Sequence, residues 1–181
     1  MDKRDQLLEL ADHSAARALG ALSCFLGCAF RAPTRAREWE GRDVDWLRQA
    51  PEEEAIALFA DLDGAVGGRL GVLLSSTAAR QFVSPLVRRE PGPGREWMEC
   101  SALLEAGNVA FSAAAGALGD AIGVVVFPSV PRIWREEDPG FRVDMGDRDL
   151  DVLGAYAVFA KADIPGKELG ICLIWLPTRA E

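Results

Sequence analysis

The sequence predicts an α+β (α/β two-layer) fold in which a helix-plus-strands unit occurs twice, related by a pseudo-two-fold axis, with a shared antiparallel sheet and two long helices on one face. Three observations predict it. Sliding the chain on itself by 96 places aligns Asp5 to Gly27 with Ser101 to Gly123. Leu7, Leu8 and Glu9 then meet Leu103, Leu104 and Glu105, Asp12 falls opposite Asn108, and Gly27 meets Gly123. A second echo at an offset of 99 to 100 sets Ala57-Leu58-Phe59-Ala60 on Ala157-Val158-Phe159-Ala160, and Leu70-Gly71-Val72 on Leu169-Gly170-Ile171. The third observation is that each half changes in the same order from an Ala/Leu-rich helical stretch to β-branched and aromatic runs bounded by Gly and Pro.

The first helix is expected from about Lys3 to Phe25 and the second from about Met98 to Leu118, since Ala and Leu are strong helix formers. Cys28 to Arg31 and Val124 to Phe127 follow as short extended segments, the latter ended by Pro128. Glu54 to Leu62 and Arg69 to Ser75 read as a hairpin about the turn-rich link 63–68, and Val152 to Ala162 with Glu168 to Leu176 as its partner about Ile164-Pro165-Gly166-Lys167. A helix is expected from about Ser76 to Arg88, and Pro91-Gly92-Pro93-Gly94 separates the repeats. The mixed-sign run Arg132 to Asp138 reads as a solvated loop. With 181 residues, the chain suits a single domain, 1–181, made of the two repeats 1–90 and 95–181.

Composition narrows the function classes. Apolar residues make up 49% and charged residues 27%, so the chain has the material for a real core and is not a disordered segment. Twenty Lys plus Arg against 28 Asp plus Glu give a net charge of −8, which opposes a nucleic-acid surface because phosphate recognition needs a cationic face. The charged start Met1 to Asp5 lacks a signal-peptide core, and no span of about 20 apolar residues stands out, so a cytoplasmic protein with no membrane partner is expected. Cys24, Cys28, Cys100 and Cys172, with the lone His13, lack the paired spacing of a zinc site and read as reduced core thiols, with no metal held by the chain. His13 reads as a surface residue. The five Trp (39, 46, 97, 134 and 175) are expected in core or partner-facing packing, and no phosphate-binding Gly loop occurs.

The second helix is apolar except at a few places. Ser101, Glu105, Asn108 and Ser112 are spaced by four, three and four residues, so they share one stripe of one face. One explanation is simply the solvated side of an amphipathic helix. Such a side usually carries Lys, Arg and Glu, whereas this one carries one carboxylate, one amide and two hydroxyls.

The pattern Ser101-x3-Glu105-x2-Asn108-x22-Pro131 resembles the signature of the CheC/CheX/FliY phosphatases of bacterial chemotaxis, and the repeat spans nearly the whole chain as that family's duplicated architecture does. The resemblance implies hydrolysis of the aspartyl phosphate of a CheY-type response regulator, with the regulator supplying Mg2+ and no cofactor bound by this chain. Acyl-phosphate hydrolysis asks for positioning and charge management. Asn108 suits placement of the attacking water, because a carboxamide both donates and accepts without a charge that repels phosphoryl oxygens. Glu105 is implied to pair with the regulator's active-site lysine. Ser101 and Pro131 are binding-site candidates, Ser101 as a contact and Pro131 as the residue that sets the chain path.

The first repeat departs from the pattern: Asp5-x3-Glu9-x2-Asp12 has Asp in place of Asn, and Pro33 follows after 20 residues instead of 22. A carboxylate there adds repulsion and removes a donor, so this first site is expected to be degenerate, with Asp12→Asn adding activity only if the helix otherwise keeps a competent shape. The alternative function is a non-catalytic chemotaxis adaptor that binds a response regulator or a CheD-type partner. A flagellar-switch role is less expected, because the residues end at Glu181 without the extra C-terminal domain of FliY-type members.

Overall fold

The computed structural model describes residues 2–32, 35–39, 54–64, 66–87, 96–138, 153–164 and 167–178. Helix α1 spans Lys3–Leu26 and ends in a left-handed residue, Gly27 (φ 67°), whose N–H donates to the Ser23 carbonyl. Glycine takes this conformation without the Cβ clash other residues meet. Strands β1 (Ala29–Arg31) and β2 (Arg37–Glu38) follow, then the hairpin β3 (Ala55–Gly64) and β4 (Gly68–Ser75). Helix α2 covers Ser76–Val87, its start capped by the Ser75 hydroxyl, which accepts the Ala78 N–H at 3.1 Å. Helix α3 covers Glu96–Ile122, and after it come β5 (Val126–Pro128), β6 (Arg132–Arg135), β7 (Tyr156–Ile164) and β8 (Lys167–Pro177).

All the described strands join one antiparallel sheet in the order β1-β7-β8-β4-β3-β5, with β2 also on β7 and β6 also on β3. The short strands of each half therefore pair with the hairpin of the other half. The sheet reads in the same sense from either end, about the central β8–β4 pair.

Helices α1 and α3 run antiparallel on one face. Leu7 and Leu10 share a cavity of about 230 Å³ with Leu118 and Ile122, while Ala11, Ala15 and Ala18 face Phe111 and Ala114. Small residues at this contact let the two backbones approach closely. Phe82, Ala78 and Ala79 of α2 join the same core, which continues onto Leu58, Val72, Val158 and Ile171 of the sheet. A second apolar cluster lies on the opposite sheet face: Ala57, Phe59, Leu73, Phe159, Cys172 and Ile174, flanked by Trp39 and Trp134. Arg37 sits 4.4 Å from the Phe159 ring centroid, and Trp39 stacks on the same ring. The strands are thus buried on both faces, which accounts for their near-continuous apolar runs.

Four expectations are corrected. The run from Arg132 opens with strand β6, paired with β3 from Phe59↔Arg132 to Ile56↔Arg135; adjacent Ile133 and Trp134 pack on opposite cores, leaving the flanking charges at the margin. Helix α3 runs to Ile122 instead of Leu118. Gly119 stays helical and close to the returning chain, where a Cβ would lie 2.5 Å from the Val124 carbonyl oxygen, while Gly123 (φ 73°) makes the turn. The cysteines are free thiols, but only Cys172 is buried, Cys24 being exposed and Cys28 and Cys100 intermediate. Finally, α3 is long and apolar enough by composition to cross a membrane, with a mean hydropathy of 1.2 over its most apolar stretch. That stretch is 56% buried inside the protein, as a core helix is. Pro33, Trp46, Arg88 and the 91–94 link lie outside the described residues.

Candidate functional site

Helix α3 has two unlike sides. Leu103, Ala106, Gly107, Ala110, Phe111, Ala114 and Leu118 are buried, while Ser101, Glu105, Asn108 and Ser112 are exposed along one stripe. The packing of the apolar side onto α1 and the sheet fixes which way the stripe points. Among the described residues, neither Glu105 nor Asn108 has a hydrogen-bond or ion-pair partner, so both side chains are available to another molecule.

Pro131 is brought to this stripe from a different element. It is buried, and its ring lies against Gly107, where an added Cβ would sit 3.4 Å from Pro131 Cβ and 3.5 Å from Phe111 Cε2. The proline therefore braces the helix at the residue between Glu105 and Asn108. The loop that carries it is pinned in turn. The Ser129 N–H donates to the Asp61 carbonyl at 2.8 Å, and the Ser129 hydroxyl accepts the Asp61 N–H at 3.0 Å. Asp61 also binds Arg69 at 2.8 Å and Arg132 at 2.9 Å, joining β3, β4 and β6. Hydrogen bonds to charged groups are stronger than neutral ones, about 1.5–3 kcal/mol when well shielded, though the partial exposure of Asp61 and Arg132 reduces that.

Gly107, Ser129 and Asp61 were not singled out from the sequence. Only Gly107 left a trace there, as a glycine inside an otherwise Ala-rich helix, which costs about 1 kcal/mol unless a close approach requires it.

The first-repeat residues are placed differently. Asp5 and Glu9 are exposed on α1, but Asp12 is partly buried and its Oδ1 accepts the backbone N–H of Ala36, just before β2. Its carboxylate is thereby tied to its own chain. Glu9, Asp12 and the exposed His13 line an open groove of about 530 Å³ with Arg35, Ala32 and Leu19. A cation thus shares this groove, unlike the stripe on α3. Among the described residues, no group of three His, Cys, Asp or Glu side chains could hold a metal ion.

Solved structures share this architecture. FliY from Thermotoga maritima superposes with a TM-score of 0.66 at 18% identity, over 96% of this chain and 90% of that one. The chain has the CheC/CheX/FliY fold. The CheX–CheY–BeF3–Mg2+ complex from Borrelia burgdorferi matches with a TM-score of 0.56 at 11% identity, over 93% of this chain and 99% of the other. The FliM middle domain from H. pylori matches at 0.59 and 14% identity, over 98% and 94%. No protein-family model matches the sequence, and no curated protein does.

Proposed function

We propose that this protein is a chemotaxis-type phosphatase that hydrolyses the aspartyl phosphate of a CheY-type response regulator through Glu105 and Asn108 of α3. The observation that carries the reading is that these two side chains, on the stripe whose spacing resembles the family signature, stand exposed and, among the described residues, free of partners above the Gly107–Pro131 brace. A complex between a CheX of this fold and CheY supports the choice of partner.

The reaction is an in-line displacement at phosphorus. The oxygen of a water forms the new P–O bond, and the bond between phosphorus and the aspartyl oxygen breaks. The freed carboxylate leaves with the bonding pair, and the water's proton passes to the phosphate or solvent. Asn108 accepts one water hydrogen with its carboxamide oxygen and holds a lone pair toward phosphorus. Glu105, about one turn earlier, pairs with the regulator's lysine and fixes the register of the two proteins. Mg2+ is the regulator's and offsets the phosphoryl charge there. Ser101 contacts the regulator at the edge of the site, and Pro131 holds the helix in place from below. On this reading the two halves are duplicated units of one domain, only the second retains a competent site, and the protein works in the cytoplasm with its regulator.

The test is to phosphorylate CheY-type receivers with acetyl phosphate and follow dephosphorylation with and without the protein. Asn108→Ala should reduce the acceleration by at least about 100-fold, the scale of losing one positioned polar group at a reacting centre. No acceleration by the native protein of any receiver to which it binds would sink the enzymatic reading. It would leave the second reading, a non-catalytic adaptor for a receiver or a CheD-type protein, which the occurrence of this fold in the FliM middle domain allows.

A further inference from the structure

Two large apolar side chains are exposed on the elements that build the Glu105–Asn108 site: Trp97 on α3 is 69% exposed, and Val130, next to Pro131, is 80% exposed. At 100° per residue, Trp97 lies only about 20° around α3 from Asn108, and about 16 Å away along the axis at 1.5 Å per residue. It is therefore the next member of the same stripe, four residues before Ser101. Val130 is exposed on the loop that carries Pro131 to α3. Its neighbours are both fixed, Ser129 by its two bonds to Asp61 and Pro131 by burial against Gly107. A β-branched side chain between two anchored residues has little freedom to lose on binding.

The charge on the helix side of this surface is one-sided, while Arg132, paired with Asp61, lies two residues from Val130. Helix α3 contains Glu96, Glu99, Glu105 and Asp120 and no Lys or Arg. A surface of this sign fits a partner that presents cations, and a receiver must hold cations around its phosphoryl group to stabilise that dianion. An interface of ordinary size covers about 800 Å² on each partner, a disc of roughly 16 Å radius, so Trp97, Glu105 and Asn108 fall within one such patch, which Val130 adjoins through Pro131 and its contact with Gly107.

We infer that Trp97 and Val130 are the two apolar anchors that seat the phosphorylated receiver over Glu105 and Asn108, and that they govern affinity and choice of receiver while leaving the chemical step unchanged. The inference rests on the phosphatase reading for its partner. Tryptophan at a water-exposed helix end is the residue type most often found to dominate an interface once desolvated.

The experiment uses the full chain and a panel of CheY-type receivers, each studied in two forms. Receivers loaded with Mg2+ and beryllofluoride are titrated calorimetrically for Kd, and receivers phosphorylated with acetyl phosphate give kcat and KM. Trp97→Ala should raise Kd and KM at least about 10-fold, the hot-spot scale. Val130→Ser should raise them several-fold, with kcat within twofold of native in both, and Trp97→Phe should recover most of the loss. In contrast, Asn108→Ala should lower kcat and leave Kd almost unchanged. Because both anchors are exposed, the melting temperatures of these variants should stay near native.

Native Kd and KM in Trp97→Ala and Val130→Ser, with native turnover intact, would overturn the anchors and spare the phosphatase reading. Binding that is lost in the anchor variants, without phosphate release by the native protein, would uphold the anchors and overturn the catalytic reading. Absence of both binding and acceleration across the panel would overturn both.

Discussion

Replacing Gly107 by alanine should stabilise the protein and leave its site competent, whereas replacing it by valine should do neither. The geometry sets both expectations. A Cβ on Gly107 would meet Pro131 Cβ at 3.4 Å and Phe111 Cε2 at 3.5 Å, ordinary contact distances that require no neighbour to move. Alanine then gains the helix-propensity difference of about 1 kcal/mol over glycine, which in a chain of this size raises the melting temperature by roughly 2–4 °C. Valine carries two further methyl groups on a Cβ that already touches both Pro131 and Phe111, so it overfills this buried contact. Overpacking of that kind costs about 1–3 kcal/mol. Relief by shifting Pro131 would displace the brace beneath Glu105 and Asn108, so dephosphorylation should fall along with stability. The measurements are thermal unfolding by circular dichroism and the rate of receiver dephosphorylation for native, Gly107→Ala and Gly107→Val. A destabilised alanine variant would refute the claim that a Cβ fits beside Pro131 and Phe111, and a valine variant with native stability and turnover would refute the claim that the proline is seated on the helix at this residue.

Asp12→Asn should add no phosphatase activity, because Oδ1 would continue to hold the Ala36 N–H; Asp12→Ala should lose about 1–3 kcal/mol by leaving that amide unpaired, read by denaturant unfolding. Gly71→Ala should cost about 1–3 kcal/mol, since a Cβ there would lie 2.5 Å from Cε1 of the fully buried Phe59 ring that crosses it from the paired strand. Tyr156 is the single tyrosine, and burial, followed by the nearby Glu38 charge, raises its pKa above 10.0, against a smaller lowering by Arg4. An acid whose folded pKa is raised favours the folded state below its unfolded pKa, so this contribution should be lost as pH climbs from about 10 through the folded value; phenolate absorbance at 295 nm rising at or below pH 10 would contradict it. Cys24 should alkylate before Cys28, which is less exposed and whose thiol burial shifts upward, while Cys172 should react only on unfolding; mass spectrometry of labelled peptides gives the order.

Sequence patterning disclosed the elements with a strong period and concealed those held by distant partners. The Ala/Leu runs located α1 and α3, and the apolar hairpins located β3, β4, β7 and β8, because each such segment must bury a face whatever its neighbours do. Strand β2 is two residues long and is defined only by Arg37↔Ala157 and Glu38↔Tyr156 pairing across more than a hundred residues, which no local pattern reports. Strand β6 was misread because its end charges outweighed the two apolar residues between them, although Ile133 and Trp134 side by side are what a strand buried on both faces displays. The exposure of the Ser101–Ser112 stripe followed from helical spacing, but the brace beneath it did not. Pro131 and Gly107 are 24 residues apart, and Asp61 is further still from the Ser129 it pins.

The contrast between the two helices bears on why one stripe reads as a site and the other does not. Spacing alone nearly equates them, since Asp5, Glu9 and Asp12 repeat the register of Ser101, Glu105 and Asn108. What separates them is what each third residue faces. Asp12 looks inward to the chain before β2 and accepts its amide, with Arg35 lining the same groove, so its charge is spent on holding the protein's own structure. Asn108 looks outward with both ends of its carboxamide unpaired among the described residues. An exposed amide gains little for stability, because water satisfies it equally well. On the proposed reading, a neutral donor and acceptor beside one carboxylate, on a helix braced by a buried proline, serve a second molecule. Exchanging only the side chain at position 12 therefore cannot copy the site onto α1; the segment around Ala36 would have to be released from the helix as well.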